Sequence, residues 1–298
     1  MNIGLVYSGG ISKCAYQIGF TQALLNFIPY EDIKVVSGSS MGLFTAYALS
    51  SGKLPQLQSI YESIDISSTF SLYKQVWFKK LLSRAMKSFF TPTDNLQIPV
   101  CFPVSYFPIF STKYHWIYKQ YNPYWKDYIR AASCFPFLCG WPKILERRLT
   151  IDGGAVDNIP LYPLLKMQHE FLPRKENLDL IIVLHFNARY DYRKEFKTDI
   201  PVLDIDVAAC NHFKKRHFDF SKEYVDEMLE KSREYGMQIG EKLFAKNDNK
   251  TLQERIDEIF LQEHAERQSH QSLDGLLTIV NAIGKFFRNN SKCNKRLY

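Results

Sequence analysis

The sequence of 298 residues lacks the features that mark secreted and membrane-spanning proteins. Its first residues, MNIGLVYSGG, contain neither a charged segment nor a long apolar one, so no secretory signal peptide is predicted. No run of about eighteen or more apolar residues occurs, so no transmembrane helix is predicted. These absences predict a cytoplasmic location, in which contact with a membrane is peripheral.

Signatures of metal, nucleotide and nucleic-acid binding are also missing. The six cysteines form no CxxC pair and the seven histidines form no HExxH, so neither a disulfide framework, a metal site nor any other cofactor is predicted. The phosphate loop GxxxxGK[ST] is absent, and Cys14 stands where a GxGxxG loop would need glycine. The net charge of +7 accompanies no nucleic-acid module, which argues against DNA or RNA but suits an anionic membrane surface.

What the sequence does contain is the pattern of an α/β fold. Hydrophobic residues make up 46% of the chain and charged residues 23%, which is typical of a globular protein. Buried strands at 2–7 and 33–37 are each followed by a glycine turn and a helix, at 13–27 and 41–51. Such alternation predicts a mostly parallel sheet. Further strands are predicted at 98–106, 109–118 and 176–188, and further helices at 221–245 and 251–290.

The polar segment 246–252 (KNDNKTL) is the best candidate for a domain boundary. We therefore predict a catalytic domain over residues 1–245 and a helical, basic C-terminal tail over residues 246–298.

The sharpest motif is Gly38-Ser39-Ser40-Met41-Gly42, a GxSxG between a predicted strand and a predicted helix. Gly38 and Gly42 let the backbone turn sharply enough to raise Ser40 above the sheet, as in a nucleophile elbow. The helix that follows directs free N–H groups and a partial positive charge at the serine, which favours the oxyanion of acyl transfer. An ordinary strand-to-helix turn can have the same composition, so this motif alone leaves both interpretations open.

A glycine pair follows the first strand, in Ser8-Gly9-Gly10-Ile11-Ser12-Lys13. Glycines that open a helix leave backbone N–H groups facing outward, where they can bind the oxyanion of a tetrahedral intermediate. Gly9, Gly10 and Ile11 are therefore the predicted oxyanion-hole residues. Loss of one such donor raises a reaction barrier by about 3 kcal/mol.

Asp152 is the candidate base. It stands in Leu149-Thr150-Ile151-Asp152-Gly153-Gly154, at the end of a short predicted strand. Gly153 and Gly154 leave room for another backbone segment to approach closely. A carboxylate in this position can accept the proton of a serine hydroxyl directly.

Together the three motifs resemble those of the patatin-like phospholipase family, which has GGGx[RK]G after its first strand, then GxSxG, then DG[GA]. The intervening sequence is similar too: Ala132-Ser133-Cys134-Phe135-Pro136 resembles the family's ASxAxP, and 94–99 resembles the start of its middle strands. Phe218-Asp219-Phe220-Ser221 resembles the boundary of its last helix. The resemblance covers roughly residues 2–245, and the combination is far more specific than any single motif.

The resemblance implies a patatin-like three-layer α/β/α fold and an enzyme that cleaves fatty acyl esters of phospholipids or lysophospholipids. In that mechanism Asp152 makes the Ser40 hydroxyl nucleophilic, an acyl-enzyme forms, and water activated by the same carboxylate releases the fatty acid. No histidine and no metal takes part. The chain departs from the family pattern at Ile11, which replaces the third glycine of the loop, and at Cys14, which replaces the glycine after the basic residue.

Three polar residues beside the motifs have supporting roles. Lys13 matches the basic position of the family's loop and is predicted to anchor that loop electrostatically. Asp157 and Asn158 precede Pro160, and for both we predict a structural role as caps of a helix that begins near this proline.

Two other functions remain open. A catalytically weak lipid-binding or scaffold protein on the same fold is favoured by Ile11 and Cys14, although the retained serine and aspartate oppose it. An α/β-hydrolase esterase with a Ser-Asp-His triad would need His185 or His212 as its histidine. The position of the elbow, after the second strand, argues against that fold.

Two cationic stretches are candidates for membrane contact. Residues 70–90 interleave lysines and an arginine with aromatic side chains, and no acidic residue occurs between Asp65 and Asp94. This composition suits an interfacial helix or an active-site lid, and equally a packed helix with a solvated cationic face. Residues 273–298 carry an apolar helical stripe with a basic end. For them we favour a helix docked on the body over a lid or a partner-binding segment.

Overall fold

The computed structural model describes most of the chain up to residue 269. The described ranges are 1–65, 89–91, 94–107, 111–118, 125–133, 143–166, 168, 177–187, 191–192, 196–207, 219–244 and 249–269, with the backbone alone over 264–269. His212, residues 134–136, Phe218 and the stretch 273–298 therefore lie outside the described residues, as does 70–88.

One sheet organises the described chain. Its strands are β1 (Ile3–Tyr7), β2 (Ile33–Gly38), β3 (Val100–Phe107), β4 (Ser111–Ile117), β5 (Lys143–Leu145), β6 (Arg148–Ile151), β7 (Leu180–His185) and β8 (Val202–Asp206). Their order is β5-β6-β3-β2-β1-β7-β8, and β4 also pairs with β3. The neighbouring pairs β3-β2, β2-β1, β1-β7 and β7-β8 are parallel. β4 and β6 each pair antiparallel with β3, and β5 pairs antiparallel with β6. The sheet thus has a parallel half and an antiparallel half that meet at β3.

Helices cover both faces of this sheet. They are α1 (Cys14–Leu24), α2 (Gly42–Ser50), α3 (Leu54–Ile64), α4 (Trp125–Ala132), α5 (Tyr162–Lys166), α6 (Lys222–Leu243) and α7 (Leu252–Ser269). The larger apolar core includes buried side chains of α1, α2, α3 and α6, and a smaller one includes buried side chains of α5 and the opposite face of the sheet. The predicted three-layer α/β/α fold with a mostly parallel sheet is confirmed.

The helix after the predicted domain boundary packs on the body. Ile256 and Ile259 of α7 are buried in the larger core. Glu263 is also buried, and its Oε2 accepts a hydrogen bond from the backbone N–H of Asp206 (3.4 Å), at the outer edge of β8. Tyr235 of α6 donates to the other oxygen of Glu263 (2.6 Å). The helical C-terminal appendage is therefore part of the fold, while the boundary at 245/246 stays a prediction.

Two aromatic residues of the cationic stretch 70–90 fall within the described chain. Phe89 and Phe90 are buried, and both pack against Tyr47 of α2. Phe90 also contacts Trp125 at the start of α4. These two rings belong to the core, as the packed-helix interpretation of the stretch expects for its aromatic side chains, and they are not available to a membrane surface.

Candidate active site

Ser40 lies at the sharp turn between β2 and α2, on the carboxyl edge of the parallel strands. Its φ of 51° is in the left-handed region, which residues other than glycine rarely adopt and which is typical of a nucleophile elbow. Gly42 must be glycine because a Cβ there would lie 2.5 Å from the carbonyl oxygen of Ser8. A Cβ on Gly38 would lie 2.6 Å from the carbonyl oxygen of Gly42. Both motif glycines thus permit the close backbone approach that the turn requires.

The structure brings Ser40 and Asp152 together across the junction of the two half-sheets. Ser40 Oγ donates a hydrogen bond of 2.7 Å to Asp152 Oδ2. The other carboxylate oxygen accepts the backbone N–H of Gly154 at 2.7 Å. Gly153 packs so closely on β3 that a Cβ there would overlap the carbonyl group of Pro103. Asp152 is thereby held in one orientation, with one oxygen directed at the serine.

Burial sets the proton affinity of this carboxyl group. Asp152 is 1% exposed. Removal from water raises its pKa to about 7, against the opposing effect of the hydrogen bonds from Ser40 and Gly154. A base is most effective when its pKa lies near the pH of the reaction, so this carboxyl group is matched to proton transfer near neutrality.

The glycine loop after β1 lies directly against Ser40. A Cβ on Gly9 would lie 2.7 Å from the Cβ of Ser40. The Gly9 N–H is already engaged, because it donates to Asn158 Oδ1 (3.1 Å) and also lies 3.3 Å from the Asn158 carbonyl oxygen. Within the described part of the chain, the N–H groups of Gly10 and Ile11 have no oxygen acceptor, although the Gly10 N–H contacts the Cys14 sulfur, which is a weak acceptor. Of the three predicted donors, Gly10 and Ile11 are therefore the two that an oxyanion can engage without displacing an oxygen.

Ile11 adopts the conformation that the family's glycine would supply at this position. Its φ is 55°, which is costly for a β-branched residue. Its side chain packs partly against the larger core, and its carbonyl oxygen accepts the hydroxyl of Tyr61 at 3.2 Å. The surrounding contacts therefore hold the loop shape without glycine.

Asn158 is the residue near the site whose role the sequence did not predict. Its side chain makes two hydrogen bonds to Gly9, accepting from the N–H (3.1 Å) and donating to the carbonyl oxygen (3.1 Å). The same Oδ1 lies 2.7 Å from where a Cβ on Gly154 would stand. Asn158 thus ties the oxyanion loop to the loop of Asp152. The spacing Asp-Gly-Gly-x-x-x-Asn in the sequence was the available signal.

Contrary to the prediction from the sequence, the structure does not place Asp157 and Asn158 at a helix cap. The helix beyond Pro160 begins at Tyr162, and the Asn158 side chain is turned toward Gly9 instead. Asp157 accepts the hydroxyl of Tyr114 at 2.6 Å. The capping prediction failed because the proline does not occupy the first turn of the helix, which starts two residues later.

The basic residue of the loop and its neighbour are both buried. Lys13 ends the 3₁₀ turn Ile11–Lys13, which leads into α1, and is 6% exposed. Burial raises the pKa of the Cys14 thiol, and its Sγ donates to the carbonyl oxygen of Ser8 at 3.8 Å. Cys14 therefore behaves as a small buried side chain rather than as a nucleophile.

His185 lies near the site but faces another group. Its Nε2 is 2.6 Å from Asp204 Oδ1, in a fully buried pair. Its Nδ1 accepts the backbone N–H of Asn187 at 3.1 Å. Both ring nitrogens are therefore committed away from Ser40. Among the described residues, no group of three or more His, Cys, Asp or Glu side chains is arranged to hold a metal ion.

Comparison with known proteins identifies the class of this chain. Residues 5–165, more than half of the chain, match the family model described as patatin-like phospholipase. The chain therefore belongs to the patatin-like phospholipase family, and its activity is in general that of a lipid acyl hydrolase. None of the curated proteins that were compared matches it.

Two solved structures are similar to the chain at low identity. VipD from Legionella pneumophila is 12% identical with a TM-score of 0.39, over 99% of this chain and 81% of that one. The type III effector protein ExoU is 15% identical with a TM-score of 0.30, over 99% of this chain and 70% of that one. No helix in the described ranges has the length and apolar character that crossing a bilayer requires.

Proposed function

We propose that the protein is a serine hydrolase that cleaves fatty acyl esters of phospholipids or lysophospholipids through a dyad of Ser40 and Asp152. The hydrogen bond of 2.7 Å between Ser40 Oγ and the buried Asp152 carboxylate carries this proposal. In this arrangement the Asp152 carboxylate can accept the proton of the Ser40 hydroxyl directly, so no histidine is needed between the two side chains.

In the first half-reaction Ser40 Oγ attacks the ester carbonyl carbon while Asp152 Oδ2 takes the hydroxyl proton. The negative charge moves to the former carbonyl oxygen, where the N–H groups of Gly10 and Ile11 and the N-terminus of α2 stabilise it. The carbon–oxygen bond to the glycerol unit then breaks, and the departing alcohol oxygen takes the proton from Asp152. An acyl-serine and a shortened lipid result.

In the second half-reaction water replaces the alcohol. Asp152 takes a proton from the water as its oxygen attacks the acyl carbon, and the oxyanion forms again at the same N–H groups. The bond from carbon to Ser40 Oγ breaks, and the serine oxygen recovers the proton from Asp152. The fatty acid leaves, and the dyad returns to its starting state without any cofactor.

The alternative functions have less support. A weakly active lipid-binding scaffold would have no need for a nucleophile and a base in contact, yet both are retained with a base tuned to neutral pH. A Ser-Asp-His triad through His185 would require this ring to leave Asp204. His212 lies outside the described residues.

The substrate class also implies where the enzyme works. The acyl bonds of a phospholipid lie at the boundary between headgroups and hydrocarbon, so a hydrolase that acts on them in a bilayer must dock at its surface. We therefore include peripheral binding to membranes in the proposed function.

Labelling with a fluorophosphonate and product analysis test the proposal together. Wild type should be labelled and should release fatty acid from mixed phospholipids, as followed by mass spectrometry, whereas Ser40→Ala should do neither. Ser39→Ala is the matched control. It removes the neighbouring buried hydroxyl, for which no hydrogen-bond partner exists within the described chain, and should leave both signals intact. Equal labelling of wild type and a folded Ser40→Ala variant would refute the assignment.

A further inference from the structure

Three exposed apolar side chains form a row across adjacent strands of the antiparallel half. Phe107 of β3 pairs in register with Leu149 of β6, which pairs in turn with Ile144 of β5. Register partners point to the same face of a sheet, so the three side chains stand side by side. Their exposed fractions are 45%, 38% and 71%. We call Phe107, Leu149 and Ile144 the apolar row.

The apolar row lies on the active-site side of the molecule. The carbonyl group of Pro103 packs on Gly153, at the level of the dyad, and β3 continues from there to Phe107 for about 13 Å beyond it. β6 runs in the opposite direction, so Leu149 precedes Asp152 by about 10 Å of extended chain. The row therefore projects beyond the carboxyl edge of the sheet, on the same side as Ser40.

Cations lie at the tip of the hairpin that carries this row and on its other face. β5 and β6 form a hairpin whose two turn residues, Glu146 and Arg147, both have positive φ, as in a type I′ turn. Lys143, Arg147 and Arg148 are exposed on this hairpin. Arg147 lies in the turn, whereas Lys143 and Arg148 alternate with Ile144 and Leu149 and therefore project from the other face of the two strands. Its one acidic residue, Glu146, is neutralised by Lys113 of β4, whose Nζ lies 2.5 Å from Glu146 Oε2.

We infer that the projecting β5–β6 hairpin is the docking element by which the protein meets an anionic lipid bilayer, with the apolar row on one face and the three cations at its tip and on its other face. The inference rests on the proposed function, because the bilayer is where the substrate of Ser40 resides. A hairpin with apolar side chains on one face, and arginine and lysine at its tip and on its other face, can place the former at the hydrocarbon boundary and the latter among anionic headgroups. Docking there places the mouth of the site against the acyl bonds.

The binding is reversible and sensitive to salt. Each cation near an anionic surface raises partitioning by about fivefold, and salt screens this attraction. Three cations and three partly exposed apolar side chains thus give a peripheral contact, strong enough to concentrate the enzyme on the lipid and weak enough to release it.

Vesicle flotation of variants that all carry Ser40→Ala tests the surface without hydrolysis of the vesicles. Vesicles of phosphatidylcholine with and without phosphatidylserine are compared. Arg147→Glu with Arg148→Glu should lower partitioning onto the anionic vesicles at least about tenfold. Ile144→Asp should lower it on both kinds of vesicle.

Matched controls distinguish the effect of this surface from the effect of a change in net charge elsewhere on the protein. Lys222→Glu with Lys231→Glu on α6 makes the same change in net charge at exposed positions and should keep partitioning within about twofold of the parent. Leu261→Asp on α7 replaces an apolar residue that is 67% exposed and should have no effect. Equal losses from the α6 pair and the hairpin pair would overturn the inference.

A second measurement does not depend on charge reversal. Ile144→Trp should shift its fluorescence emission to the blue on anionic vesicles and be quenched by brominated lipid, while Leu261→Trp should do neither. Absence of both signals at Ile144 also overturns the inference.

The two proposals fail in distinguishable ways. With Ser40 intact, the hairpin pair should lose activity on vesicles and keep activity on a small soluble ester. Binding through the hairpin by a protein that hydrolyses no ester would refute the proposed function and leave the docking surface standing. Hydrolysis of vesicle lipid that is unaffected by the hairpin pair would refute the docking surface alone.

Discussion

The two halves of the sheet contribute different parts of the site and differ in how firmly they are held. Every residue of β1, β7 and β8 in the parallel half is buried, whereas most residues of β5 and β6 in the antiparallel half are exposed. Ser40 and the oxyanion loop belong to the first half, and Asp152 follows a strand of the second. The hydrogen bond between Ser40 and Asp152 therefore joins a deeply packed element to a lightly packed one.

The comparison extends to the backbone strain in each half. Ile11 and Ser40 have positive φ in the parallel half, and Glu146 and Arg147 have it in the antiparallel half. Around the first pair, hydrogen bonds and core packing fix the backbone; the second pair lies at an exposed hairpin tip. Strain at a functional site persists where its surroundings determine the conformation, whereas at the tip it is a cost that substitution can remove.

The largest effect is expected from a substitution that breaks the contact between the two halves of the sheet. Asp152→Asn should keep the shape of the side chain but remove the proton acceptor of Ser40, so turnover of an ester should fall by about three orders of magnitude or more. Steady-state kinetics on a soluble ester measures this. His185→Gln, which disturbs the buried pair with Asp204 and the hydrogen bond from the Asn187 N–H but not Ser40, should leave turnover of the folded protein nearly unchanged. An equal loss there would restore the triad alternative.

The pKa of Asp152 gives the next effect, which depends on pH. Only the carboxylate form accepts the serine proton, so kcat/KM should rise with pH and level off above about 7. The same raised pKa means that the folded state loses stability as pH rises from about 4 to about 7, by about 4 kcal/mol in total.

Asp152→Asn removes this pH-dependent cost. The variant should therefore melt at a higher temperature than wild type at pH 8, and the difference should shrink at pH 5. Thermal unfolding at both values measures it. A variant that is less stable than wild type at pH 8 would contradict the raised pKa.

Asn158 connects the halves, and its loss should loosen the oxyanion loop. Asn158→Ala removes both hydrogen bonds to Gly9, so kcat should fall roughly 10- to 100-fold through misplacement of the N–H donors. The KM of a small ester and the pH midpoint set by Asp152 should change little. A merely structural role would instead lower the melting temperature without the selective fall in kcat.

A glycine at position 11 should have a smaller effect, since the loop uses backbone donors. Ile11→Gly relieves about 1–2 kcal/mol of left-handed strain but loses side-chain packing and gains freedom in the unfolded chain. We expect stability within about 1 kcal/mol of wild type and turnover of a small ester within about threefold. Ile11→Ala, which keeps the strain and loses the packing, should be the less stable of the two in denaturant titrations.

The smallest effect concerns the exposed turn. Arg147→Gly places glycine where φ is 60°, and should stabilise the protein by up to about 1 kcal/mol, or roughly 2–4 °C in melting temperature. Activity on a soluble ester should be unchanged. Destabilisation by this substitution would show that the turn is held by its surroundings, as the elbow is.

The parallel half was largely predictable from the sequence. β1, β2 and β7 are continuous apolar runs and were located from that pattern, and glycine turns mark the carboxyl ends of β1 and β2, where the motifs lie. β8 was missed because Asp204 and Asp206 interrupt its apolar pattern, and their partners His185 and Glu263 are distant in the chain.

The antiparallel half was predictable only in part. The hairpin strand β5 has three residues, two of them exposed, and no periodicity distinguishes so short an element. The position of Asp152 followed from its motif, but its raised pKa depends on burial by the rest of the fold. The contact of Asn158 with Gly9 joins residues far apart in sequence, which no local pattern encodes.

α7 covers the outer edge of β8 and so limits the association of this strand with other molecules. An uncovered edge strand presents unpaired N–H and C=O groups to which a strand of another molecule can add. Glu263 occupies one such N–H, at Asp206, and the buried Ile256 and Ile259 fix the helix beside it. Removal of α7 would therefore turn the outermost strand into a template for aggregation, and the helix protects the solubility of the catalytic sheet.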